Sequence, residues 1–326
     1  MMRAAIYTGG GGPEVISFGE VPKPEVRPGH IRVRVHAAGL NRADLIQRRG
    51  QYAAPPGWPA DIPGLEYAGE VEAVRNVTRW KPGDRVMGLV GGGAQAELLT
   101  VHADEALAVP EGLSYAEAAA IPEAFLTAYD ALVTRGRLAP GERVLIHAVG
   151  SGVGTAASQI AKHLGATVIG TSRSAEKLAR ALVYGLDHGI DTSRGPFRDA
   201  VGEPVDVVID MLGGPAFADN LAVLAPRGRL VLLGFLAGGR FSGDLGPILR
   251  KRLEVIGTVM RARGPEERAP LVREFAERML PLFDQRIEHA APLRPVLERT
   301  YSMAELAEAH RLMESNETFG KIVLTW

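Results

Sequence analysis

Cysteine is absent from all 326 residues. That removes disulfides, thiolate nucleophiles and cysteine-ligated zinc together. Net charge is nearly absent too, since 37 Lys and Arg against 38 Asp and Glu leave −1. So balanced a chain is only weakly drawn to phosphate backbones or anionic membranes, and no nucleic-acid partner is expected. No run of about 18 uncharged apolar residues occurs, so no membrane span is expected either. The opening segment, MMRAAIYTGGGG, lacks the apolar stretch of a signal peptide. Together these absences fit a cytoplasmic protein in a reducing compartment. What is present is a large apolar fraction, 46% of residues, and length enough for two domains.

The first third reads as short strands and turns. HIRVRVHAAGL alternates apolar and polar residues as a half-buried strand does, and AGEVEAV and DRVMGLV follow it around a turn, RWKPGD. This pattern predicts an antiparallel, partly closed β body. Near Pro122 it changes to apolar strands alternating with helices. The predicted strands are 143–147, 167–171, 188–190, 205–210, 229–234 and 253–258. Between the first two, Val153, Ala156, Ala157, Ile160, Ala161 and Leu164 fall on one face of a helix. Six such strands predict a doubly wound parallel sheet, an α/β fold of the dinucleotide-binding kind. Beyond about residue 265 the chain is helical again, and it closes on FGKIVLTW, a strand expected to return to the first domain. The domains are therefore 1–122 with 266–326, and 123–265.

HAVGSGVGTAA joins the first predicted parallel strand to its helix. Gly150, Gly152 and Gly154 alternate, and no window fits G-x-G-x-x-G strictly. Ser151 stands at a close-approach glycine position and adds a hydroxyl. The strand–loop–helix context favours a pyrophosphate held by Val149, Gly150, Ser151, Gly152, Val153 and Gly154 over a turn without a ligand. The second strand lacks the terminal acid that bonds ribose hydroxyls in NAD sites. It offers Thr171, Ser172, Arg173 and Ser174, with Lys177 one turn on. Hydroxyls and cations there suit a 2′-phosphate, hence NADPH, although Ser174 also serves as a helix N-cap.

Several stretches together resemble one family: AGLNRADLIQRRGQY, PGLEYAGEV, KPGDRVMG, AAAIPEAFLTAYDAL, GERVLIHAVGSGVGTAASQIAK and GKIVL. The chain resembles the zeta-crystallin-like quinone oxidoreductases, zinc-free members of the medium-chain dehydrogenase/reductase superfamily. GQYAAPPG, PEAFLTAY and HAVGSGVGTAA are most similar to the tumour-suppressor-inducible branch. The resemblance implies a GroES-like β-rich catalytic domain built from both chain ends, with a six-stranded Rossmann domain inserted. It implies NADPH in the interdomain cleft, a small quinone or enone substrate, and a homodimer or homotetramer. Zinc-dependent relatives have a Cys where Asn41 stands, before Asp44, and their Gly-His-Glu is Gly64-Leu65-Glu66 here, so two ligands are lost. His30, His36, His102, His147 and His163 are scattered without ligand spacing and read as surface or structural.

By the same resemblance Asn41 and Thr127 flank the nicotinamide ribose and ring. The backbone of Leu233, Gly234 and Phe235 passes the carboxamide, and Arg263 and Lys321 are candidates to reach the cofactor. The family's Asn-Tyr pair after the third strand is Asp191-Thr192, an acid that suits a 2′-phosphate only if it turns away. Tyr52 is either an aromatic wall for a flat quinone or a general acid, as in related 2-enoyl-thioester reductases. Quinone reduction by direct hydride transfer is the leading reading. The alternatives are enoyl-thioester reduction with Tyr52 as proton donor, and a crystallin-like or NADPH-sensing protein without turnover.

Overall fold

HIRVRVHAAGL forms a single long strand, and the rest of the N-terminal β body assembles on it. The computed structural model describes residues 1–284, 286 and 292–326. Strands β1 (Met2–Tyr7) and β2 (Ile16–Val21) pair as a two-stranded sheet. β3 (His30–Leu40) pairs antiparallel with both β4 (Glu66–Arg75) and β6 (Leu98–His102). β4 continues to β5 (Arg85–Leu89), and β5 to β7 (Ala106–Ala108). Alternation in β3 works as expected, since Ile31, Val33 and Val35 are buried in the core of this unit while Arg32 and Arg34 face outward and pair with Glu72.

Six parallel strands follow: β8 (Arg143–Ile146), β9 (Thr167–Ser172), β10 (His188–Asp191), β11 (Val205–Asp210), β12 (Leu224–Leu232) and β13 (Glu254–Gly257). They lie in the order β10-β9-β8-β11-β12-β13. This is the doubly wound arrangement, with the order reversing beside β8, where such sheets place their ligands. The strands read as unbroken apolar runs because helices cover both faces. Helix Gly152–His163 buries Ala156, Ala157, Ile160 and Ala161 completely.

The chain then returns to the β body. β14 (Leu297–Ser302) pairs parallel with β15 (Lys321–Thr325), and β15 pairs antiparallel with β3, Ile322 opposite Leu40. FGKIVLTW therefore goes where its pattern places it. The chain divides into two compact units, Met1–Leu126 with Met260–Trp326, and Thr127–Val259. Helix Pro122–Tyr129 begins packed in the first unit, its Phe125 ring edge-on to Phe283 at 4.8 Å. Arg261 likewise bonds the carbonyls of Gly91 and Tyr52.

A polar network ties the first unit's two chain segments together. The Arg48 guanidinium, 1% exposed, donates to His310 Nδ1 at 3.1 Å and pairs with Glu314. His310 Nε2 therefore carries the proton and donates to Tyr7 Oη at 3.0 Å. Burial, and secondly the Arg48 charge, hold His310 down to about 3. The unfolded chain binds this proton more readily, so the contribution to stability is full above about pH 6.5 and is lost as pH falls toward 3. Asp44 runs the other way. Burial raises its carboxyl to about 6, so its contribution is lost as pH rises through the acid range. His310→Gln is expected to flatten the gain in stability between about pH 4 and pH 7, measured by chemical denaturation. Equal slopes in variant and wild type would show that His310 does not govern the acid limb.

Candidate active site

In the second unit the sheet's reversal brings together the ends of β8, β9 and β11. The loop after β8 turns through Ala148, a non-glycine residue at φ +48°. Ser151 caps the following helix by accepting from the Gly154 N–H at 3.0 Å, with its own proton toward Met211 Sδ. The serine hydroxyl is thus used as a cap. The first turn still offers the Gly152 and Val153 N–H groups, which have no partner within the helix. Gly154 is required by contact: a Cβ there would lie 2.5 Å from the Ala148 carbonyl oxygen and 2.7 Å from Val149 Cα. Val149 is a core residue whose N–H bonds the Thr171 carbonyl, so only its carbonyl remains available to a ligand. Gly150 is buried beside it.

The structure corrects the reading of Thr171. Its side chain is 2% exposed, and its hydroxyl lies 2.8 Å from His147 Nδ1. His147 Nε2 is 2.7 Å from Asn220 Oδ1, and Asn220 Nδ2 donates to Asp210. Because the Asn220 amide gives its N–H to a carboxylate, its oxygen must accept from His147. Nδ1 is then the acceptor and Thr171 the donor. Burial pushes the His147 pKa down, which keeps the ring neutral. These four side chains form one hydrogen-bonded chain. Their spacing in sequence, 147, 171, 210 and 220, carries no motif, and only the fold assembles them.

Ser172 and Ser174 are half-buried at the end of β9. The Ser172 hydroxyl accepts from the Ser174 N–H, and Ser174 caps helix Ala175–Ala181 through the Lys177 N–H. Lys177 is half-buried. Arg173 is exposed and has no ion pair among the described residues. Asp191 sits opposite Ser172 on β10 but turns onto its own loop, accepting from Ser193 and pairing with Arg194 at 3.2 Å. Those Ser193 bonds lower its pKa, so it remains a locally balanced anion. After β12, the Leu233 N–H is spent on the Asp210 carbonyl, Gly234 is half-buried, and the Phe235 ring is 59% exposed. Thr127 is the residue with capacity to spare: its Oγ1 is buried without a hydrogen-bond partner. Directly beyond it the helix widens into a π-helical turn, Asp130–Arg135, a distortion common at functional sites.

The first unit has its own polar cluster. Asn41 caps helix Arg42–Arg48 with Asp44 as the reciprocal partner. Glu66, fully buried at the start of β4, accepts from Asn41 Nδ2 at 2.9 Å and from the Glu123 N–H at 2.8 Å. Lys321 on β15 reaches the same point. Its Nζ lies 2.5 Å from Glu66 Oε1, 2.5 Å from Asn41 Oδ1 and 3.1 Å from the Leu40 carbonyl. Three acceptors satisfy its three protons, so Lys321 has no donor left to reach a cofactor, which corrects the reading of it as a cofactor contact. The residues do not fit a zinc ion. An amide and Leu65 stand where Cys and His would, and a cation already neutralises Glu66.

Tyr52 is half-buried, and the Arg261 guanidinium lies 4.8 Å from its ring centroid. Arg261 is 4% exposed and donates to the Gly91 carbonyl (2.8 Å), the Tyr52 carbonyl (3.2 Å) and Gln47 Oε1 (2.7 Å). Burial raises the Tyr52 phenol, so it stays protonated at neutral pH. Arg263, the arginine singled out from the sequence, instead sits 3.9 Å from Glu267 one helical turn on. Arg261 engages the Tyr52 loop because of backbone geometry that residue type does not reveal.

A doubly wound sheet with a glycine loop at its reversal, joined to a β body closed by the chain's far strand, defines a nicotinamide-dinucleotide-dependent oxidoreductase. Residues 27–111 match the alcohol dehydrogenase GroES-like domain, and residues 152–277 match the zinc-binding dehydrogenase family. A quinone oxidoreductase from Pseudomonas aeruginosa is 34% identical across 99% of both chains. The crystal structure of a Pseudomonas syringae pv. Tomato DC3000 quinone oxidoreductase superposes with a TM-score of 0.88 at 30% identity over 100% of each chain. A mycobacterial protein, Rv1454c, solved with NADPH, superposes at 0.84 and 28% identity, again over 100% of each. The chain belongs to the medium-chain dehydrogenase/reductase superfamily, with quinone oxidoreductases among its relatives.

Proposed function

We propose that this protein is an NADPH-dependent reductase of quinones and similar electron-poor conjugated carbonyls, of the zeta-crystallin-like kind, working without a metal. The Asn41–Glu66–Lys321 cluster carries the reading. It fills the place where zinc would polarise an alcohol or aldehyde, so the suitable substrate is one that accepts hydride without a Lewis acid. Quinones meet that condition, and the quinone oxidoreductases among the relatives agree with it.

The residues fit a dinucleotide. Thr127 offers a buried hydroxyl with no partner, Gly154 lets the backbone approach, and Arg173 offers a free guanidinium at the end of β9. Gly150, Gly152 and Val153 would hold the pyrophosphate at the helix N-terminus. Ser172, Arg173 and Lys177 would hold a 2′-phosphate, and Thr127 the nicotinamide end. The cofactor, when bound, supplies the hydride. Tyr52, its ring fixed by Arg261, lines the acceptor's position as a flat wall, and water protonates the reduced quinone.

Loss of NADPH absorbance with 1,4-benzoquinone or a naphthoquinone tests the activity. Turnover of crotonyl-thioesters but of no quinone would replace this reading with enoyl reduction. Arg173→Ala is expected to weaken NADPH roughly tenfold to hundredfold, the weight of a lost charge-assisted bond of about 1.5–3 kcal/mol, and to leave NADH unchanged. Equal wild-type affinities for the two cofactors would refute the phosphate assignment.

A further inference from the structure

Ala148 turns at φ +48°, the left-handed region that a residue with a Cβ enters only at a cost. Such a conformation persists where the surroundings over-determine it. Both neighbours of Ala148 are pinned. The His147 N–H donates to the Ile209 carbonyl of β11 at 3.1 Å, and the Val149 N–H to the Thr171 carbonyl of β9 at 3.0 Å. The turn then closes on itself, with the Ser151 N–H donating to the Ala148 carbonyl at 2.8 Å. The His147 ring adds the decisive constraint. It is fully buried, tied at Nδ1 to Thr171 and at Nε2 to Asn220 of helix Gly214–Val223, with the Phe197 ring edge-on at 4.7 Å. A packed ring bonded at both nitrogens keeps one rotamer, so its Cα–Cβ bond keeps one direction. With its N–H also held on β11, the peptide entering Ala148 has one orientation.

We propose that His147, Thr171 and Asn220 are positioning residues that hold Ala148 in its left-handed turn and so set how helix Gly152–His163 leaves β8. The strain of the turn is offset by side-chain bonds made one residue before it. All of these residues lie within the Thr127–Val259 unit. Asp210 completes the clamp by orienting the Asn220 amide. Resting on the function proposed above, these buried side chains contribute to pyrophosphate binding without touching the dinucleotide.

Glycine enters the left-handed region without a Cβ penalty, so clamp and strain can be separated by substitution. His147→Leu would strand Asn220 and Thr171 in the core and endanger folding. Thr171→Val is milder, since it keeps a branched side chain suited to a strand and cuts only the bond to the ring. It is expected to weaken NADPH binding about fivefold to tenfold in a fluorescence titration, the weight of one hydrogen bond. Amide hydrogen exchange across residues 148–152, read without ligand, is expected to quicken by a similar factor. With Ala148→Gly as the background, Thr171→Val is expected to change both quantities by less than about twofold, because the turn no longer needs holding. Wild-type exchange in Thr171→Val, or an equal effect with alanine and with glycine at 148, overturns the clamp. Faster exchange with unchanged NADPH affinity overturns its part in binding. A wild-type protein that binds no NADPH overturns the functional reading, and the clamp then stands or falls on exchange alone.

Discussion

Gly154→Ala is expected to weaken NADPH binding by at least about tenfold while leaving the far-UV circular dichroism close to wild type. The added methyl would meet the Ala148 carbonyl at 2.5 Å and the Val149 backbone at 2.7 Å. These are main-chain atoms of the loop that turns off β8, so no side chain can swing aside. Either the helix retreats from the sheet or the loop opens, at about 1–3 kcal/mol in an otherwise packed interior. Ala148 is already in the left-handed region, which leaves the turn little freedom to absorb a shift. Fluorescence titration of NADPH reads the effect. Unchanged affinity would mean that this loop does not carry the dinucleotide.

Arg261→Met is expected to raise KM for quinone at least about tenfold and to lower the melting temperature, with little change in NADPH affinity. The substitution removes three donated bonds and leaves Gln47 and the Gly91 and Tyr52 carbonyls without their donor, each buried orphan costing about 1–3 kcal/mol. It also removes the cation from the Tyr52 face. Tyr52→Phe serves as the companion. A wall residue keeps kcat and changes mainly KM, whereas a proton donor loses kcat. Steady-state kinetics on both variants separates the roles. An Arg261→Met enzyme with wild-type KM would show that the Tyr52 loop does not meet the substrate.

Periodicity was enough to read the architecture. The six apolar runs became six strands with bounds moved by a few residues, because strand burial on both faces leaves a compositional mark. FGKIVLTW found β3 for the same reason. The glycine loop was legible because close approach demands a missing Cβ, and that demand shows in residue type. The site's charge network was not. Lys321 reads as a candidate cofactor contact until β15 is laid beside β3, and Thr171 reads as a phosphate ligand until His147 is seen to hold its hydroxyl. Arg263 and Arg261 are two residues apart, and nothing in residue type tells which one bonds the Tyr52 carbonyl. Sequence marks what a backbone needs locally. Pairings between residues hundreds of positions apart belong to topology.

β15 also sets an order of assembly. The second unit is one uninterrupted stretch, Thr127–Val259, and all its strand partners lie inside it. The first unit needs Ile322 to find Leu40 and Lys321 to find Asn41, partners separated by about 280 residues. Contacts that distant form slowly, because a long loop must close before they reward it. During synthesis the dinucleotide-binding unit can be complete while β3 still has an open edge and Glu66 an unpaired charge. The strand that closes the β body also delivers the ammonium that pairs with Glu66. A molecule whose first unit has not closed therefore has a buried carboxylate without its cation as well as an open sheet edge.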